Sequence, residues 1–160
     1  MNSVAPILLA EDREEDIILI KKSFKKAAIR NPLFIVRDGE EAINYLSGTA
    51  RFADRAQFPL PALFLLDLKM PATDGFDVLR WISTQPDLKS LRVVVLTSSE
   101  AIRDVDLAYK LGASSFLVKP VDFCGTVDVV RDMARYWLGM NMTSGPSARS
   151  RQKIDPVNSD

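Results

Sequence analysis

Polar residues that could do chemistry stand at the ends of short apolar runs. Glu11 and Asp12 follow Ile7-Leu8-Leu9-Ala10, and Asp67 follows Ala62 to Leu66. Thr97 closes Val93-Val94-Val95-Leu96, and Lys119 follows Ser115-Phe116-Leu117-Val118. If these runs are neighbouring strands, spaced about 4.8 Å apart, the side chains converge in one cleft. Three carboxylates crowded there repel one another. A hard divalent cation such as Mg²⁺, which prefers oxygen ligands, would relieve that repulsion. Lys119 adds a positive charge suited to a phosphate oxygen, and Thr97 adds a hydroxyl. This inventory fits phosphoryl transfer onto the Asp67 carboxylate, giving an acyl phosphate. Catalysis would consist mainly of positioning and charge neutralisation.

Each residue taken alone has a plainer reading. An Asp after a strand often caps a helix or forms a turn, and Glu11 and Asp12 could cap the first helix. A threonine at a strand end satisfies strand propensity, and a lysine before a proline suits a solvated loop. The plain readings fail together, because they require a coincidence at the ends of four strands of one sheet.

The elements that must position these residues follow from hydrophobic period. The runs are short, unbroken and bounded by turn formers, as in strands buried on both faces of a parallel sheet. Between them, Ile17, Ile20, Phe24 and Ala27 recur at helical spacing. Glu40 to Leu46 forms a short helix before Gly48, and Phe76, Leu79 and Ile82 mark a third ahead of Pro86. Ile102, Val105 and Ala108 mark a fourth, and Asp122 to about Met140 a fifth. Residues 49–61 read as an irregular connection. The alternation predicts an α/β, flavodoxin-like doubly wound sheet of five parallel strands with five helices; the order 2-1-3-4-5 comes from analogy with that fold. Residues 1–140 make one domain. Residues 141–160 are rich in Ser, Asn, Arg and Pro and read as a disordered tail.

Composition narrows the function classes. The 21 basic and 21 acidic residues cancel, so nothing global favours nucleic acid or an anionic membrane. The apolar runs are far short of the ~20 residues that span a bilayer. No basic-then-apolar leader opens the chain, and a cytoplasmic location is expected. The single Cys124 rules out an intramolecular disulfide and a cysteine-based zinc site. Histidine is absent, which excludes Ser-His-Asp and Cys-His catalysis.

The sequence resembles the receiver domain of two-component response regulators over roughly residues 4–138. The resemblance is carried by Ile7 to Asp12, Leu65 to Gly75, Val94 to Ser98, Gly112-Ala113 and Val118-Lys119-Pro120. It implies that Asp67 is the phosphoacceptor and that Glu11 and Asp12 are the acidic Mg²⁺ pair. Lys69 would lend its backbone carbonyl to the metal. Thr97 would be the switch hydroxyl and Lys119 the phosphate-contacting lysine, aimed by a cis bond to Pro120. Phe116 matches the switch aromatic, where many relatives have Tyr, and plain core is its other reading. Lys69 and Ser99 occupy positions that tune dephosphorylation in the family.

No output domain fits in the remaining length, so signalling is expected through protein contacts. A histidine kinase would dock at the first helix, whose basic residues are read as lying near the cleft mouth. The long 49–61 connection is similar to small regulators paired with bacterial phytochrome kinases. On the last helix, Phe123, Val127, Val130, Ala134 and Trp137 form one apolar stripe, and Val129, Met133, Tyr136 and Met140 a second. The second stripe suggests a homodimer, with a wide intramolecular contact as its alternative.

Competing functions are weaker. A phosphatase of the haloacid-dehalogenase kind needs a second acid two residues after its nucleophile, where this chain has Lys69. The acidic loop after the first strand would repel a flavin phosphate. A phosphorylation-independent, receiver-like scaffold would not need the retained polar set.

Overall fold

The computed structural model describes residues 4–98 and 102–139. Its elements are β1 (Ile7–Ala10), α1 (Glu14–Lys26), β2 (Leu33–Val36), α2 (Gly39–Ser47), β3 (Leu63–Leu66), α3 (Gly75–Ser83), β4 (Arg92–Thr97), α4 (Ile102–Lys110), β5 (Ser115–Val118) and α5 (Phe123–Trp137). The strands form one parallel five-stranded sheet in the order β2-β1-β3-β4-β5, as expected. Ser99, Met140 and the segment 141–160 lie outside the described residues.

The pleat divides each strand between two cores. Ile7, Leu9, Leu63, Leu65, Val94, Leu96 and Leu117 pack with α1 and α5. Leu8, Ala10, Phe64, Leu66, Val93, Val95 and Phe116 pack with α2, α3 and α4. Burial on both faces is why the strands read as continuous apolar runs. At the carboxyl edge of the sheet, α2, α3 and α5 start at aspartates. Asp38 accepts the Glu41 N–H (2.8 Å), Asp74 the Asp77 N–H (3.0 Å) and Asp122 the Gly125 N–H (2.7 Å). Each takes up a donor that the first helical turn leaves unpaired. Asp74-Gly75 is thus a capped helix start.

The structure bears on two readings of the helices. The second stripe of α5 is largely covered within the chain: Met133 is fully buried and Val129 packs beside it in the core shared with α1. Phe123 and Tyr136 stay exposed at opposite ends of α5 and do not make one patch. The basic residues of α1 also lie away from the cleft. A crossover helix runs antiparallel to the strands it connects. The acidic first turn Glu14-Glu15-Asp16 therefore faces the carboxyl edge, and Lys25 and Lys26 close the helix at the far end.

The 49–61 connection is a packed lobe rather than an irregular loop. After the 3₁₀ turn Ala50–Phe52, Phe58 packs edge-on against both Tyr45 and Phe52, and Phe52 lies tilted against Tyr45. Arg55 donates to the carbonyls of Tyr45 (2.8 Å), Leu46 (2.8 Å) and Phe58 (3.1 Å), taking up carbonyls at the end of α2.

The free edge of the sheet at β5 is partly sealed. Lys119 donates its N–H to the Thr97 carbonyl on β4 (2.8 Å). Backbone groups alternate along a strand, so the Phe116 N–H points out of the edge, and the Tyr109 hydroxyl of α4 accepts it (3.1 Å).

Arg55→Met keeps the aliphatic stem and removes the donors. Chemical denaturation should show a loss of about 1–3 kcal/mol from stranding the carbonyls. An unchanged midpoint would show that water replaces the guanidinium.

Candidate functional site

Each ladder at the site runs one residue beyond its strand. Glu11 donates its N–H to Val36 (3.0 Å), Asp67 to Ala10 (3.1 Å) and Lys119 to Thr97 (2.8 Å). These residues therefore still obey the pleat. Glu11 continues Ile7 and Leu9, Asp67 continues Leu63 and Leu65, and Lys119 continues Leu117. All of these apolar residues face α1 and α5, so the three charged side chains emerge on that face. Thr97 continues Val93 and Val95 on the opposite face, which it shares with Phe116.

The lysine joins the acids. Its Nζ lies 2.5 Å from Glu11 Oε1, 2.9 Å from Asp16 Oδ2 and 3.1 Å from Asp67 Oδ2. Glu11 and Asp67 are almost wholly buried. Their other oxygens accept backbone N–H groups: Arg13 to Glu11 Oε2 (3.2 Å) and Lys69 to Asp67 Oδ1 (3.1 Å). Both carboxylates are thereby held in fixed orientation. Oxygens of Glu11, Asp12 and Asp67 all lie within 4.8 Å of one another. Asp12 is exposed and offers an open side.

Electrostatics show what this crowding does. Burial pushes the Glu11 carboxyl up to about 7, and the nearby Asp67 charge adds to the rise. The Lys119 hydrogen bond and the Arg13 N–H oppose it. Burial alone would lower Lys119; its hydrogen bonds to Glu11 and Asp16, with the Asp67 charge, outweigh it and raise the ammonium above its usual range. The charge balance is thus incomplete, with four carboxylates around one ammonium. An all-oxygen, anionic donor set open on one side suits a hard divalent cation.

The loop after Asp67 is clamped by close approach. A Cβ on Gly75 would stand 2.5 Å from the Asp67 carbonyl oxygen and 2.6 Å from Leu68 Cα. A Cβ on Gly39 would meet the Thr73 carbonyl at 2.1 Å. Glycine at both positions lets the starts of α2 and α3 close on the 67–75 loop.

The structure brings Glu11, Asp12, Asp67 and Lys119 together as the sequence indicates. Thr97 is fully buried and Phe116 lies in the core beside α4. Lys69 turns its side chain to solvent, and its N–H bonds Asp67. The expected cis bond is not found: Lys119–Pro120 is trans, the cheaper isomer by about 0.5–1 kcal/mol. Asp16 is the residue that sequence reasoning missed. It sits in the first turn of α1, where an acid is explained by the helix dipole alone.

A fold of this topology, with acids and a lysine at its carboxyl edge, defines a receiver, and the comparisons agree. The response regulator receiver domain family matches residues 7–131, and the chain belongs to it. Among relatives, it is similar to the response regulator Rcp1 of Synechocystis sp. (strain ATCC 27184 / PCC 6803 / Kazusa), 36% identical over 132 residues that cover 82% of this chain and 88% of Rcp1. A Mn²⁺-bound form of Rcp1 superposes with a TM-score of 0.76 at 34% identity, covering 88% of this chain and 99% of the other. RPA3017, a response regulator in red light signaling of R. palustris, gives a TM-score of 0.81 at 34% identity, covering 89% and 99%. The phosphorylated cyanobacterial phytochrome response regulator RcpA gives 0.79 at 31% identity, covering 89% and 100%.

An ion held by Glu11, Asp12 and Asp67 must meet Glu11 without its proton. With Glu11 at about 7, affinity for a divalent cation should rise between about pH 6 and 8, with proton release on binding. The metal-free protein should change the other way. Folded Glu11 keeps its proton up to about 7, above the ordinary 4.5. The unfolded state thus binds fewer protons in that window, and stability falls as pH rises through it. Calorimetric titration in buffers of different ionisation enthalpy checks the first point; pH-independent affinity would contradict it.

Proposed function

We propose that the chain is a phosphorylatable response regulator. In this reading, Asp67 takes a phosphoryl group from the phosphohistidine of a sensor kinase and the result is relayed through protein contacts. The observation that carries the proposal is the double restraint of Asp67. Lys119 and the Lys69 N–H each hold one carboxylate oxygen, which pre-orients a nucleophile beside a cation. An Asp67 oxygen attacks phosphorus, the P–N bond to the donor histidine breaks, and its electron pair returns to the imidazole. The product is an acyl phosphate on Asp67.

Glu11, Asp12, Asp67 and the Lys69 carbonyl would hold Mg²⁺, whose part is to neutralise charge on the phosphoryl oxygens. Lys119 supplies an ammonium to one of those oxygens. Thr97 would be drawn toward the phosphoryl group, and Phe116, on the same face of the sheet, would follow it. On this reading the chain assists its own phosphorylation and dephosphorylation without being a turnover enzyme. Lys69 in place of a second acid argues against the phosphatase.

The kinase is proposed to be of the phytochrome type, because Rcp1-like and bacteriophytochrome regulators are similar over nearly the whole chain. A cytoplasmic location agrees with such a partner, and no described helix is long and apolar enough to cross a membrane. A homodimer through the last helix would have to use Phe123 and Tyr136. Sedimentation that stays monomeric with and without phosphoryl donor excludes it.

Incubation with Mg²⁺ and acetyl phosphate, followed by intact-mass measurement, tests the central claim. The wild type should gain one phosphoryl group, and Asp67→Asn should gain none. Steady phosphate release from phosphate esters with no adduct would replace the receiver by a phosphatase.

A further inference from the structure

The Lys119 ammonium has three N–H donors, and each has an acceptor in the cleft. Glu11 and Asp67 belong to the group of oxygens that could hold a cation; Asp16 does not. It reaches the lysine from α1 rather than from a strand end, and its other partner is the exposed Arg13, at 3.5 Å. When a divalent cation sits on Glu11, Asp12 and Asp67, it repels the ammonium and draws on two of its three acceptors. The lysine then needs an anchor that the cation does not share.

We propose that Asp16 is that anchor, a positioning residue that keeps Lys119 over Asp67 while a metal occupies the other carboxylates. The role presupposes that Asp67 accepts a phosphoryl group. The geometry supports it in two ways. Asp16 is only a quarter exposed and Lys119 less, so water does not simply replace the contact. Leu19, Leu96, Pro120 and Val129 line a groove beside the pair, so on that side the ammonium meets no acid other than Asp16. Without the anchor, the ammonium would fall back on Glu11 and Asp67 and compete with the metal.

The test uses Asp16→Asn and Asp16→Ala, with Glu15→Gln as the control. Glu15 removes the same charge one residue away and bonds Arg13 rather than Lys119. Mn²⁺ affinity is read by electron paramagnetic resonance of the free ion, with no phosphoryl donor present. Both Asp16 variants should bind the metal more weakly, by on the order of 10-fold, and Glu15→Gln should stay near wild type. At saturating Mg²⁺, acetyl phosphate should label Asp16→Ala more slowly than Asp16→Asn, because Asn keeps an oxygen for the lysine. Asp16 variants that match Glu15→Gln in both measurements overturn the proposal. Failure of the wild type itself to be labelled overturns the phosphoacceptor reading instead, and the metal measurement still decides whether Asp16 governs Lys119.

Discussion

The whole site depends on the pleat surviving one residue past the end of the strands. Because Glu11, Asp67 and Lys119 each make the next ladder hydrogen bond, backbone geometry decides which face of the sheet receives their charges. No flexible loop intervenes between the rigid sheet and the Asp67 carboxylate. Burying two acids beside a lysine costs solvation that ion pairing only partly returns. The raised Glu11 carboxyl is the visible sign of that cost. The apolar strands on either side supply the stabilisation that lets such a cluster persist. Burial of each large aliphatic side chain is worth about 1.5–3 kcal/mol.

The surroundings convert this fixed point into a place where change can be read. Aspartate caps bring the starts of α2 and α3 to the same edge, and glycines let them close on the loop after Asp67. That loop is gripped from two sides, so a new group on Asp67 would press on helices rather than on solvent. Thr97 and Phe116 lie across the sheet from the lysine and its acids. A displacement at Asp67 would therefore reach α4 only by crossing the sheet's edge to its other face.

The strands and the four charged positions are legible in the sequence because each rests on a local pattern: an apolar run, a breaker, a polar residue at its end; the strand order rests on analogy with the fold. The common face of Glu11, Asp67 and Lys119 was within reach too, by counting in twos from Leu9, Leu65 and Leu117. Asp16 was not, because it depends on the rotation of α1 against the sheet. The lysines of α1 were misplaced for a related reason: composition says that a helix is basic, and only its direction says which end meets the cleft. The stripe with Met133 shows the same limit. A second apolar face calls for a partner, and here that partner is α1 of the same chain. Arg55 reads as an ordinary charged loop residue, since its three carbonyl partners come together only after the lobe folds.

The phenol of Tyr109 has a consequence for solubility. A parallel sheet ends in strands whose outward amides invite another chain to add on, which is how ordered aggregates begin. At β5 the outward Phe116 amide is already taken by a hydroxyl from α4, while exposed Val118 would otherwise favour such an addition. The protein thus guards its own border with one side chain from the neighbouring helix. Any rearrangement that carried α4 away would lift that guard as well.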